Sequence, residues 1–235
     1  MFLPLISSFL LIFTALSAAA PVTHAYLTYA FFDAFPDKYD YEEKKDFMIG
    51  TLFPDIRYMG ETRRQNTHFD KMTLKEVLDE TSPFMAGVKF HSYVDLRRDE
   101  YVSRQKIYTK FKEYTPKNLV TFLKLMEDEI LYSKANWKDV SLWIKEILPE
   151  ELHWNMEEPL IRKWHNILSI FFTNPTSTVV FLALMGNVEL METNRDQLSS
   201  WNLILKNKAE LPQSQAYVND LVSYFQYLYL TDRNL

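Results

Sequence analysis

Apolar residues along most of this chain recur at steps of three and four, the period of a helix face, and the short alternating runs of a half-buried strand are missing. The clearest stretch is central. Ser82 followed by Pro83 marks a helix start, because the hydroxyl caps free amides and the fixed φ of proline suits the first turn. From there Phe84, Val88, His91, Asp95 and Val102 share one face. That face begins apolar and then carries an imidazole and a carboxylate one turn apart. A carboxylate turned into a core is costly unless it is paired or bound to a cation. His91 and Asp95 therefore admit two readings: a mutual hydrogen bond at the edge of the core, or two ligands to one metal ion from a single helix.

The same periodicity predicts further helices. Thr23–Phe35 is predicted as a helix capped by Thr23, with His24 in its opening turn, and Asp37–Ile49 as an amphipathic helix with a charged face. Residues Gly50–Ile56 break the pattern and leave Asp55 behind a proline among large apolar side chains, where a turn-capping aspartate is the plain expectation. A polar, arginine-containing loop from Met59 to Asn66 leads into Thr67-His68-Phe69. Thr115-Pro116 is read as the start of a helix whose inward stripe is Leu119, Phe122, Leu123, Met126 and Ile130. Asn136–Leu148 reads as a helix ended by Pro149, followed by Leu160–Phe172, an apolar helix from Pro175 through Met185 and Met191, and a tyrosine-rich helix Ser214–Leu230. The prediction is a compact all-α multi-helix bundle of about eight or nine helices.

Composition narrows the chemistry. A length of 235 residues is ample for a sizeable core, and residues 20–235 read as a single all-α domain. Four glycines argue against a glycine-rich phosphate loop, and a net charge of −5 argues against a duplex nucleic-acid partner. Without cysteine there is neither a disulfide nor a thiolate ligand for zinc. Phe2–Ala20 is uncharged and mostly apolar, so residues 1–19 read as a signal peptide or an uncleaved apolar anchor. Either implies export to the periplasm or beyond. The small residues Ser17-Ala18-Ala19-Ala20 favour cleavage within them, after Ala18 or Ala19.

Thr23-His24-Ala25, Gly50-x-x-x-Pro54-Asp55, Thr67-His68-Phe69 and His91-x-x-x-Asp95 follow one another over residues 20–100. In order and wording this set resembles the zinc-dependent phospholipase C family, which is related to the single-strand-specific nucleases. The resemblance implies an all-α fold and a cluster of zinc ions. It implies that Asp55, His68, His91 and Asp95 hold one zinc, and that His24 and Asp95 hold a second with Asp95 bridging. It also implies that the amino group and carbonyl of the mature first residue, near Ala19 to Pro21, join the second ion. The family's third zinc uses a histidine six residues past the bridging aspartate; that position is Tyr101 here. His153-x-x-x-Glu157 has the spacing of the remaining pair, but its proline-flanked setting reads as a surface segment. The expectation is one or two metal ions, possibly three.

The expected chemistry is hydrolysis of a phosphoester by a metal-activated water. Asp55 is the candidate for a further role in orienting that water. Arg57, Arg63 and Arg64 lie between two of the candidate ligands, placed either to meet a phosphate or simply to solvate the loop. A phospholipid headgroup at a membrane surface is the favoured substrate. A single-strand nuclease and an inactive metal-stabilised binding or structural protein are the alternatives.

Overall fold

The central stretch forms helix α4, Pro83–Arg104, with Pro83 at its first position and the Ser82 hydroxyl accepting from the amide of Met85 at 3.3 Å. Phe84, Val88, His91, Asp95 and Val102 are all buried on it. The computed structural model describes residues 19–59, 62–115, 117–154, 156–186 and 193–231. Among these it is all-α, with twelve helices and no strand. The count exceeds the predicted number because several predicted helices divide into short pieces.

Helix α2, Tyr41–Leu52, starts later than predicted. Asp40 and Glu43 form a reciprocal capping box, each side chain accepting from the other's amide at 2.9 and 3.0 Å, and this fixes the start. α2 crosses α4 where two of the few glycines face the opposing backbone. A Cβ on Gly50 would lie 2.0 Å from the Phe84 carbonyl oxygen, and one on Gly87 would lie 2.0 Å from that of Phe47. Any larger residue would hold the helices apart.

Helix α1, Pro21–Ala34, begins two residues before the predicted cap, and its N-cap Ala20 has no side chain to satisfy the free amides. That function comes from α6, Leu119–Tyr132, whose Asp128 accepts from the amides of Val22 and Thr23 at 3.0 and 2.7 Å and from the Thr23 hydroxyl at 2.7 Å. Thr23 is thus inside the first turn and donates where capping was predicted. α6 itself opens at Asn118, in the left-handed region at φ 49°, not at Thr115. Asparagine tolerates that conformation, and its side chain accepts from the Thr121 hydroxyl at 3.0 Å.

An aromatic knot holds these helices to the last one, α12, Pro212–Thr231. Phe31 of α1 lies between Phe47 of α2 and Phe90 of α4, at 5.2 and 4.9 Å between ring centroids, with Tyr229 edge-on at 5.8 Å. Beneath it Arg98 grips Glu127 bidentately, at 2.7 and 2.6 Å, and Tyr217 donates to the same carboxylate at 2.6 Å. The short helices are α3, Leu74–Leu78; α5, Ile107–Lys110; α7, Lys138–Trp143; and α8, Pro149–Leu152. The predicted Asn136–Leu148 helix is thereby confined to α7, and Pro149 starts a helix where it was read as a stop. α9, Glu158–Thr173, α10, Thr176–Gly186, and α11, Arg195–Ala209, complete the bundle. Met191 and residues 1–18, including most of the predicted export segment, lie outside the described residues. No described helix is long and apolar enough to cross a membrane.

Candidate metal centre

α4 delivers His91 and Asp95 one turn apart. The crossing with α2 places Thr51 beside them, and the chain leaving α2 makes a tight 3-10 turn, Pro54–Met59, that carries Asp55. His68 follows a second short turn and is pinned on both sides. The Thr67 hydroxyl reaches the Pro54 carbonyl at 3.0 Å, and the Phe69 amide donates to Ser92 of α4 at 3.0 Å. His24 comes from the turn of α1 that Asp128 caps. The five predicted ligands converge, with relative exposures of 1% for His24, 3% for Asp55, 8% for His68, 1% for His91 and 3% for Asp95.

The ligand atoms of His68, His91 and Asp95 lie together, and Asp55 stands near the two rings. The Nε2 atoms of His68 and His91 are 3.0 Å apart; Asp95 Oδ2 lies 3.6 Å from each, and Asp55 Oδ1 lies 3.8 and 4.0 Å from them. Ligands bound tetrahedrally at 2.0–2.2 Å stand about 3.4 Å from one another, so these separations bracket the expected edges. The proton inventory agrees. His91 Nδ1 lies 2.8 Å from the Thr51 carbonyl oxygen, which only accepts, so Nδ1 carries the hydrogen and Nε2 a lone pair. Giving the Thr67 proton to the Pro54 carbonyl leaves its oxygen to accept from His68 Nδ1 at 2.9 Å, which puts a lone pair on His68 Nε2 as well. Two lone pairs face each other beside two carboxylates. A shared proton on the His pair would answer the lone pairs alone, but Asp55 Oδ1 is buried with no hydrogen-bond partner. A cation beside the histidine pair would answer the lone pairs and a carboxylate together.

Asp95 divides its oxygens between two sides. Oδ2 faces the histidine pair, while Oδ1 accepts from the amide of Ala19 at 2.9 Å and lies 3.3 Å from His24 Nε2. Both His24 ring nitrogens are buried without a hydrogen bond, and the ring stacks on His91 at 3.9 Å. The two oxygens of Asp95 thus face different histidines. Two overlapping triads, His24 with Asp55 and His91, and His68 with His91 and Asp95, each bring ligand atoms close enough to hold a metal ion.

The electrostatics favour metal binding. Burial lowers the pKa of His24, with His91 adding to the effect; it lowers that of His91 to about 4, and it depresses His68 strongly. All three are neutral imidazoles, the ligating form. Burial raises Asp55, against the pull of Arg57. Burial also pushes Asp95 upward, but His91, His24 and Arg64 outweigh it and hold the carboxyl well below its ordinary value.

The three arginines separate. Arg64 Nη2 donates to Asp95 Oδ2 at 2.9 Å, and Arg57 Nε lies 3.5 Å from Asp55 with its guanidinium over the Tyr58 ring. Arg63 is exposed and is not brought to the cluster. His153 and Glu157 are also exposed, flanking the gap between α8 and α9, and belong to neither triad. The histidine that does pair there is His165, buried on α9, whose Nε2 is 2.7 Å from Glu151. Three contributors went unnoticed in the sequence: the Thr51 carbonyl, Lys124 and Asp128. Only the last two carried a signal, as charges one turn apart in the apolar run of α6.

No family model, curated protein or solved structure matches this chain.

Proposed function

We propose that the chain is a zinc-dependent phosphodiesterase of phospholipase C type, exported and acting on a phospholipid headgroup. The observation that carries this reading is the buried, thiolate-free cluster of three histidines and two aspartates. Its facing imidazole lone pairs and orphaned carboxylate oxygen call for a cation, and the nitrogen and oxygen donors suit zinc. Asp55, His68, His91 and Asp95 would hold one ion; His24 and the far oxygen of Asp95 would face a second. Bound there, the metal supplies Lewis acidity and lowers the pKa of water enough to make a nucleophile at neutral pH.

The chain's own residues supply the rest. Thr51 and Thr67 fix the ring orientations of His91 and His68, and such outer contacts sustain ligand basicity. Asp55, 3.5 Å from Arg57, would orient water. Arg64 lies against Asp95, where a guanidinium can also meet a phosphoryl oxygen. Cleavage after Ala18 would turn the Ala19 amide nitrogen, already 2.9 Å from Asp95, into a free amine and hence a good ligand. Export would then complete the site. The overall negative charge supports a lipid headgroup over a polynucleotide.

A second reading is a metal-stabilised binding or structural protein. What favours it is that a fourth protein ligand beside the triad of His68, His91 and Asp95 would close a tetrahedral ion. The test is hydrolysis of a chromogenic phosphocholine ester and of single-stranded DNA by the zinc-loaded protein. Phosphocholine hydrolysis lost on chelation and in His91→Ala supports the proposal, and cleavage of the DNA alone makes it a nuclease. Zinc binding with neither activity establishes the second reading.

A further inference from the structure

α6 carries three buried charges in an otherwise apolar interior face: Lys124, Glu127 and Asp128. Two are accounted for. Glu127 is consumed by Arg98 and Tyr217, and Asp128 caps α1. Lys124 is 3% exposed, yet it forms no hydrogen bond and no ion pair among the described residues. An ammonium has three protons to place, and buried polar groups are almost always hydrogen-bonded. A lysine kept only for charge balance would rest on a carboxylate. This one instead lies in the field of Asp55 and Asp95 together with Arg98 and Arg57. Burial first, and Arg98 next, lower its pKa to about 8, so at neutral pH it remains a cation.

A second unmet donor lies on the same centre. Arg64 gives Nη2 to Asp95, while its Nη1 is buried with no partner. Arg98 and Glu127 cancel. A divalent ion entering beside the cations Lys124, Arg57 and Arg64 adds positive charge, which a phosphate offsets.

We propose that Lys124 is an oxyanion-binding residue, its ammonium taking a non-bridging oxygen of a phosphate group seated against the metal centre. The inference rests on the metal-dependent reading above and adds an anion subsite that the ligand set does not contain. The ligand class is a phosphate mono- or diester anion.

The experiment titrates inorganic phosphate, and separately glycerophosphocholine, into the wild-type protein, Lys124→Met and Lys124→Arg, each with and without zinc. Met keeps the length of the side chain and removes the charge. Lys124→Met should weaken phosphate binding about tenfold or more, and Lys124→Arg should retain it within about threefold, since losing one partner of a charged hydrogen bond costs that much. Zinc content should be unchanged in both. Tighter binding of the diester than of free phosphate identifies a headgroup subsite, and the reverse identifies a phosphate subsite. Free Lys124→Met should also melt higher than the wild type, because it removes an unpaired buried charge. Phosphate affinity equal to wild type in Lys124→Met, no phosphate binding by the wild type, or a lower melting temperature for Lys124→Met each overturns the inference. Absence of zinc binding with Lys124-dependent phosphate binding intact would instead overturn the metal reading.

Discussion

Replacing Gly87 by alanine tests whether the crossing of α2 and α4 builds the metal centre. The added Cβ would stand 2.0 Å from the Phe47 carbonyl oxygen and 2.7 Å from the Thr51 amide nitrogen, whereas ordinary contact begins at 3.4 Å. Both neighbours are backbone, so no rotamer change relieves the clash. Relief requires a separation of the helices by about 1.4 Å, and overpacking of that kind costs about 1–3 kcal/mol. For a chain of this size that lowers the melting temperature by roughly 2–12 °C. The same displacement stretches the 2.8 Å contact between His91 Nδ1 and the Thr51 carbonyl beyond hydrogen-bonding range. Losing the partner that orients a ligating histidine weakens metal affinity about 10–100-fold. Thermal melts of the metal-free protein and zinc titration calorimetry measure both effects. A Gly87→Ala protein that melts within about a degree of wild type and binds zinc equally well would refute the crossing as the element that sets His91.

Asp128→Asn leaves one acceptor oxygen for three donors at the start of α1, so it should cost about 1–3 kcal/mol and weaken zinc binding through His24; unchanged melting and zinc affinity would remove Asp128 from this account. The stability gain of Lys124→Met should depend on pH. The folded pKa of about 8 lies below the ordinary 10.5, so the wild type carries its full handicap, about 3 kcal/mol, below pH 8 and loses it as the pH rises toward 10.5. Denaturant titrations at pH 7 and pH 10 check this, and a gain that grows with pH would contradict it. His153→Ala and Glu157→Ala should leave zinc content, melting temperature and activity unchanged, because both side chains are exposed and away from the cluster; a lost equivalent of metal in either would bring them back as ligands.

What the sequence revealed and concealed follows a physical line. The start of α4 was legible because Ser82-Pro83 is a local signal, and its buried face because the 3.6-residue period is local too. That five side chains come together was legible only from the ordered wording of the set and the family it resembles, because His24 or Asp55 taken alone reads as an ordinary capping or turn residue. Partners distant in sequence were not. The cap of α1 comes from Asp128, 105 and 106 positions away from the amides it accepts, and no pattern within α1 announces it. Thr51 acts through its carbonyl, which carries no side-chain signature. Arg63 and Arg64 are adjacent in sequence and indistinguishable there, yet only Arg64 turns inward. His153-x-x-x-Glu157 had a plausible spacing but no buried face to present it, and His165 took the buried place. The start of α2 was misplaced because a capping box outranks a run of charged residues.

The most direct test of the central claim is zinc titration of the metal-free protein, with direct metal analysis of the product. At least one zinc per chain is expected to bind, with binding lost in His68→Ala and in Asp95→Asn while both variants stay folded by circular dichroism. A folded wild-type protein that takes up no metal, or variants that bind zinc as tightly as the wild type, would contradict it.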